Sequence, residues 1–329
     1  MAAIGPDATD SPRLLALRAL GLGDLLTAVP ALRALAATFP DHRLELAAPT
    51  ALVPLVELAG GGWHVIDTAP LATLGIELAA PDVAVNLHGR GPQSHRVLLD
   101  ARPQRLIAFE HPDVPESRGG PAWRAGEHEV LRWCRMLAES GVPADPEALD
   151  VERPRGPPTR ATRGATLVHP GAASGGRRWP VERFAAVVGA ELDAGRRVAV
   201  TGSHAERALA TRVVTLAGLP PSVNLAGSTD LRGLAAAVAG ADRVVCGDTG
   251  VAHLATALGT PSVVLFGPTS PEEWGPPPSR SIHRVLWRGR RGDPHAAEPH
   301  PGLAEIGVEE VVAALDELPG RPAAEGASR

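Results

Sequence analysis

The sequence predicts an α/β protein made of two parallel-sheet domains. Three observations carry this prediction. Apolar strand-like runs alternate with amphipathic helical stretches almost throughout. Near the middle the alternation stops in a Pro/Arg/Gly-rich stretch and then restarts. The length of 329 residues is also about twice a typical domain of ~150 residues.

In the first half, strands are expected at residues 14–19, 43–48, 63–67, 83–88 and 105–109, with helices at 24–38, 50–59, 92–100 and 127–140. The stretch "DVERPRGPPTRATRG", residues 150–164, has no apolar periodicity and reads as a linker. The division is therefore a domain at 1–152, a linker at 153–163 and a second domain at 164–329. In that second half, strands are expected at 165–169, 197–201, 242–246 and 262–266. Helices are expected there at 181–194, 204–217, 229–239, 249–258 and 307–317, ahead of a frayed Pro/Gly/Ala tail.

Composition narrows the function. A net charge of −5 and a hydrophobic fraction of 44% are ordinary for a globular protein and argue against nucleic-acid binding. The chain has no lysine, so all 32 basic residues are arginine. Cys134 and Cys246 lie too far apart for a metal motif or a disulfide framework and read as packing residues of a reduced protein. The N-terminus lacks the pattern of a secretory leader. The longest uncharged stretch, 249–271, is broken by Gly259-Thr260-Pro261 and Gly267-Pro268 into a short helix and a strand. A soluble, cytoplasmic protein is expected.

"LGLGDLL", residues 20–26, sets a glycine turn between a strand and a helix. A dinucleotide loop needs a third glycine, and that position is Leu26. Asp24 would also repel a pyrophosphate at the helix start. The carboxylate fits two roles that do not exclude each other, a helix N-cap and a general base.

The second half carries the anion-binding signals. In "VHPGAASGGRRWP", residues 168–180, a strand runs into a small-residue loop where Ser174 can donate to a phosphate oxygen. Arg177 can fork onto the same group, although two solvated arginines would look the same in sequence. In "CGDTGVAHLATALG", residues 246–259, a strand ends and a helix begins near Thr249. The N–H groups of Thr249, Gly250 and Val251 then face a diphosphate. Asp248 either caps that helix or orients its neighbours, and His253, one turn on, is either structural or turned to the ligand. In "VAVTGSHAERALA", residues 198–210, Glu206 is placed either to bind ribose hydroxyls or to face solvent.

Together these motifs resemble glycosyltransferase family 9, the ADP-heptose:lipopolysaccharide heptosyltransferases. The likeness runs from about residue 14 to about residue 275 and rests on "GLGDLLTAVPALRAL", "HPGAASGGRRWP" and "GDTGVAHLATALGTPSVVLFGPTSP" in that order. The resemblance implies a GT-B fold, two Rossmann-like domains facing across a cleft, with the donor held mainly by the C-terminal one. It implies inverting, metal-independent transfer of a heptose or related sugar from ADP-heptose to a hydroxyl of a glycan, glycolipid or small molecule. No cofactor is implied, and the chain has no D-x-D motif, the usual way of holding a metal and a sugar nucleotide. Peripheral association with a membrane is left open.

By motif, Asp24 matches the family's catalytic base, and Gly23 lies where an acceptor sugar comes close. Ser174 falls in the phosphate loop, and Arg177 stands where the family usually has a lysine on the donor phosphates. Asp248, Thr249, Gly250 and His253 match the diphosphate and sugar turn, Glu206 the ribose acid and Thr229 an adenine contact. "NLHGRGPQS", residues 86–94, matches an acceptor-side loop and makes His88, Arg90, Gln93 and Ser94 acceptor candidates. Two rival readings follow from the same features: an NAD(P)-dependent oxidoreductase using the Gly21–Gly23 turn, and a sugar-nucleotide-binding protein without turnover.

Overall fold

A computed structural model describes residues 11–75, 80–155 and 160–320. Residues 156–159 of the expected linker and the tail from 321 lie outside the described residues. The chain divides into two compact units, Met1–Leu149 and Asp150–Arg329.

Unit 1 holds five parallel strands, β1 (Arg13–Leu17), β2 (Arg43–Ala48), β3 (His64–Asp67), β4 (Val83–Asn86) and β5 (Arg105–Ile107). Their order is β3-β2-β1-β4-β5. The helices are α1 (Leu22–Thr27), α2 (Val29–Thr38), α3 (Val53–Ala59), α4 (Gln93–Leu99) and α5 (Glu129–Glu139). β1 reads RLLAL because it is the central strand and helices cover both faces, so Leu14 to Leu17 are all buried. Its register pairs Leu17 with Asn86 of β4.

Unit 2 holds β6 (Ala165–His169), β7 (Arg197–Val200), β8 (Arg243–Gly247), β9 (Ser262–Leu265) and β10 (His283–Leu286), in the order β10-β9-β8-β6-β7. Its helices are α6 (Val181–Asp193), α7 (Arg207–Leu216), α8 (Leu231–Gly240), α9 (Gly250–Ala257), α10 (Pro271–Trp274), α11 (Pro301–Ala304) and α12 (Val308–Asp316). Val168, Val200, Val245 and Leu265 of the sheet pack with Phe184, Val188, Val213 and Leu315 of the helices in one core. The register pairs His169 with Cys246, so the loops after β6 and β8 leave the sheet side by side.

The expected helix 24–38 is two helices, because Pro30 has no N–H and its ring collides with the preceding turn. Pro54 likewise divides 50–59 into a 3₁₀ turn, Thr50–Leu52, and α3. β10 has no counterpart in the sequence reading: it is a four-residue edge strand with polar residues, too short to show alternation. Among the described residues no helix is long and apolar enough to cross a membrane. Cys134 and Cys246 are buried free thiols.

Candidate functional site

Parallel α/β sheets bind ligands beyond the carboxyl ends of their strands, where the strand order reverses. In unit 2 that point lies between β6 and β8. The residues following those two strands meet there. From the loop after β6, Arg177 Nη1 approaches the Asp248 carbonyl at 3.5 Å and its carboxylate at 3.9 Å. Arg177 is only 22% exposed, and its buried Nε has no hydrogen-bond partner among the described residues. A half-buried guanidinium with long contacts and an unused N–H keeps donors for an anion.

Asp248 does not cap α9. The cap is Thr249, in extended conformation, and it makes no side-chain cap bond. Asp248 instead sits buried between Arg177 and the Thr269 hydroxyl; burial raises its carboxyl, against the pull of those two partners. It therefore orients Arg177. The first-turn N–H groups of α9, Gly250 and Val251 among them, lack intrahelical acceptors and project from the same corner. One turn on, His253 packs edge-to-face with Trp274, the ring centres 6.0 Å apart.

Ser174 lies in the same loop as Arg177, but its hydroxyl donates to the Pro294 carbonyl at 2.5 Å. Its single proton is thus committed to a strap formed by residues 293–300. The Glu206 carboxylate takes the Ser203 N–H at 2.7 Å and lies directly over Gly171, where any Cβ would stand 2.2 Å from it. Beneath it is the buried His169, hydrogen-bonded to the Thr201 hydroxyl at 3.0 Å and held below its usual pKa by burial. Thr229 is half-buried in the turn before α8.

In unit 1 the strand order reverses between β1 and β4. Helix α1 begins after β1 with Gly21 as its cap, so Asp24 is the third helical residue rather than the cap itself. One carboxylate oxygen reaches back to the Gly21 N–H at 3.2 Å, and the other lies 3.6 Å from Arg18. The side chain remains 30% exposed, so the capping bond leaves the acid accessible. Gly23, in the same first turn, is half-buried.

After β4, Asn86 shapes the loop. Its carbonyl oxygen accepts the His88 N–H, and its amide donates to Ser94 Oγ and to His95 Nδ1, both at 2.8 Å. His95 Nε2 faces the Phe109 carbonyl at 2.7 Å, which assigns the proton to that nitrogen. Ser94 is therefore buried inside the loop, whereas Arg90 and Gln93 are exposed. Burial, then the nearby Arg18 cation, hold the His88 imidazole below its usual pKa, while Asp24 pulls the other way. Asp24, Arg18 and His88 thus form one electrostatic group.

Sequence reasoning did not single out Arg18, Asn86, His95 or Glu129, nor the strap. Arg18 had a signal: a lone cation closing a continuous apolar strand demands a buried partner.

The sequence matches the family model described as Glycosyltransferase family 9 (heptosyltransferase) over residues 121–296, more than half of its 329 residues. The chain belongs to glycosyltransferase family 9. Lipooligosaccharide heptosyltransferase 2 of Haemophilus influenzae is 33% identical over 161 residues, covering 45% of this chain and 45% of that protein. Lipopolysaccharide heptosyltransferase 2 of Escherichia coli is 31% identical over 159 residues, again 45% of each. This family 9 chain therefore spans less than half the length of these curated relatives it matches. In three dimensions it is similar to the ADP-heptose lps heptosyltransferase II of E. coli, with a TM-score of 0.75 at 21% identity, covering 92% of this chain and 97% of the other. A family 9 glycosyl transferase of Veillonella parvula gives a TM-score of 0.76 at 20% identity, covering 93% and 96%. Likeness at that identity establishes the fold: two parallel-sheet α/β units of the GT-B class.

Proposed function

We propose that the protein is an inverting glycosyltransferase that moves a heptose or a related sugar from an ADP-sugar to a hydroxyl of a glycan, glycolipid or small-molecule acceptor. The observation that carries the reading is the corner of unit 2 where Arg177, oriented by Asp248, meets the start of α9. A half-buried cation beside helix N–H groups is suited to a diphosphate, and the name of the structural neighbour of E. coli, an ADP-heptose heptosyltransferase, supports ADP as its carrier.

The chemistry is a single displacement. Asp24 accepts the proton of the acceptor hydroxyl as that oxygen bonds to the anomeric carbon. The bond from that carbon to the β-phosphate oxygen breaks, and ADP leaves with the electron pair. Arg177 and the first-turn N–H groups of α9 stabilise the growing phosphate charge, a preorganised effect worth about 3–4 kcal/mol per well-placed donor. Unit 1 supplies the base, and Arg90 and Gln93 present exposed polar groups to the acceptor. The reading assigns no cofactor, because the leaving charge has cationic and dipolar partners within the chain. It places the enzyme in the cytoplasm, at a membrane face where the acceptor is lipid-borne.

A thermal-shift panel of ADP, UDP, GDP and dTDP with their sugars tests the donor. A selective rise with ADP and ADP-heptose is expected, and a preference for UDP or dTDP overturns the assignment. Turnover of ADP-heptose to ADP with a glycan acceptor tests the transfer.

Arg177→Ala leaves the buried Asp248 carboxylate without its cation and strips the corner of its main donor. We expect ADP affinity to fall about 10- to 100-fold, the range for a charge-assisted contact of about 1.5–3 kcal/mol. Calorimetry checks this, and unchanged affinity removes Arg177 from the site.

A further inference from the structure

We propose that Arg18 is a positioning residue for the transfer. From a fully buried seat it fixes Asp24 and the loop after β4 in one geometry, and Glu129 at the start of α5 holds it there. The inference rests on the reading of Asp24 as the acceptor-activating base.

The case begins with cost. Arg18 is 0% exposed, and sealing a guanidinium away from water costs several kcal/mol unless its donors are met. A strand end that needed only packing would carry a leucine. The donors are met by segments far apart in the chain. Nε donates to the Asp24 carbonyl at 2.9 Å, Nη1 to the Leu87 carbonyl at 2.5 Å, and Nη2 to the Thr27 hydroxyl at 3.2 Å and to Glu129 at 3.0 Å. One side chain therefore ties the helix carrying Asp24 to the loop carrying His88.

The anchor is itself constrained. The guanidinium lies 4.9 Å from the Trp133 ring centre, and the Trp133 indole N–H donates to the same Glu129 oxygen at 3.0 Å. This closes a ring of three side chains. Because no part of Arg18 reaches solvent, it cannot touch an acceptor and acts only through Asp24 and the loop. The planar fork matters: a lysine supplies charge but cannot span the Asp24 and Leu87 carbonyls together.

The test compares Arg18→Lys, Arg18→Met and the double variant Arg18→Met/Glu129→Met with wild type and Asp24→Asn. The double variant removes the Arg18 and Glu129 charges together, but Glu129 also binds Arg132 and the Trp133 indole N–H, so some stability is lost with it. With positioning, the folded double variant, assayed below its melting temperature, loses about 10²-fold in kcat, the scale of a 1 Å misplacement, with KM for the ADP-sugar within twofold. Arg18→Lys, with the charge kept, recovers part of kcat. A purely structural role predicts that kcat returns with the melting temperature, and that result overturns the inference. Should the double variant fail to fold, a folded Arg18→Lys with wild-type kcat overturns it equally. Wild-type turnover in Asp24→Asn would instead bring down the underlying reading.

Discussion

Asp24→Asn is expected to lower kcat by about 10²- to 10⁴-fold, the usual contribution of a positioned acid or base. ADP affinity should stay within twofold, because the groups assigned to the nucleotide belong to unit 2. Asparagine is the informative replacement. Its oxygen can still accept the Gly21 N–H, so the start of α1 survives, whereas alanine would add about 1 kcal/mol for the lost cap. Steady-state rates of ADP release, with calorimetric ADP binding on the same preparation, check both halves. Turnover at the wild-type rate would move the base elsewhere. His88 would be examined next: its imidazole lies within the field of Asp24, and burial and Arg18 favour its neutral form.

The sequence and the structure agree where chemistry is local. Strands such as β1 and β8 are where their apolar runs, Leu14–Leu17 and Val244–Cys246, lie, because a strand buried on both faces favours a continuous apolar run. Asp24, Arg177 and the turn at Asp248 could be proposed from the sequence because each follows the end of a strand by no more than about eight residues, on the side where parallel sheets place ligands. Two kinds of feature were hidden. Proline breaks at Pro30 and Pro54 cut helices that the apolar period alone ran together. Long-range polar partners leave no periodic trace: Glu129 lies 111 residues from Arg18, and Pro294 lies 120 residues from Ser174. The role of Ser174 shows the consequence. Its position in the loop after β6 was readable, but the carbonyl that takes its proton comes from Pro294, in a segment to which the sequence reading assigned no role.

That segment leads to the second large effect, Gly175→Ala. A Cβ at Gly175 would stand 1.5 Å from the Ala297 carbonyl oxygen, and a backbone atom cannot swing aside as a side chain does. The strap must lift off the loop, and its bonds are placed to fail together. Ser174 donates to Pro294, the Gly176 N–H to the Ala296 carbonyl at 2.8 Å, and the His300 N–H to the Gly176 carbonyl at 3.3 Å. Overpacking of about 1–3 kcal/mol and the loss of one or more bonds of about 1 kcal/mol each put the expected destabilisation near 2–4 kcal/mol. For a unit of this size that lowers the melting temperature by roughly 5–15 °C. Gly171→Ala is the control: the three atoms nearest its Cβ all belong to the end of the Glu206 side chain, which can rotate away. It should melt within about 3 °C of wild type, in line with a loss of about 1 kcal/mol from the freed Ser203 N–H. The pair also separates two ways of losing the donor. Gly175→Ala moves the Arg177 backbone, because Gly175 and Arg177 share one 3₁₀ turn, and should weaken ADP together with stability. Gly171→Ala moves only the carboxylate assigned to the ribose, and should weaken ADP with the fold intact. If Gly175→Ala melts like wild type, the strap does not secure the loop, and the geometry around Arg177 must rest on Asp248 and on the loop's own bonds, such as those from Arg178 to the Ala172 carbonyl.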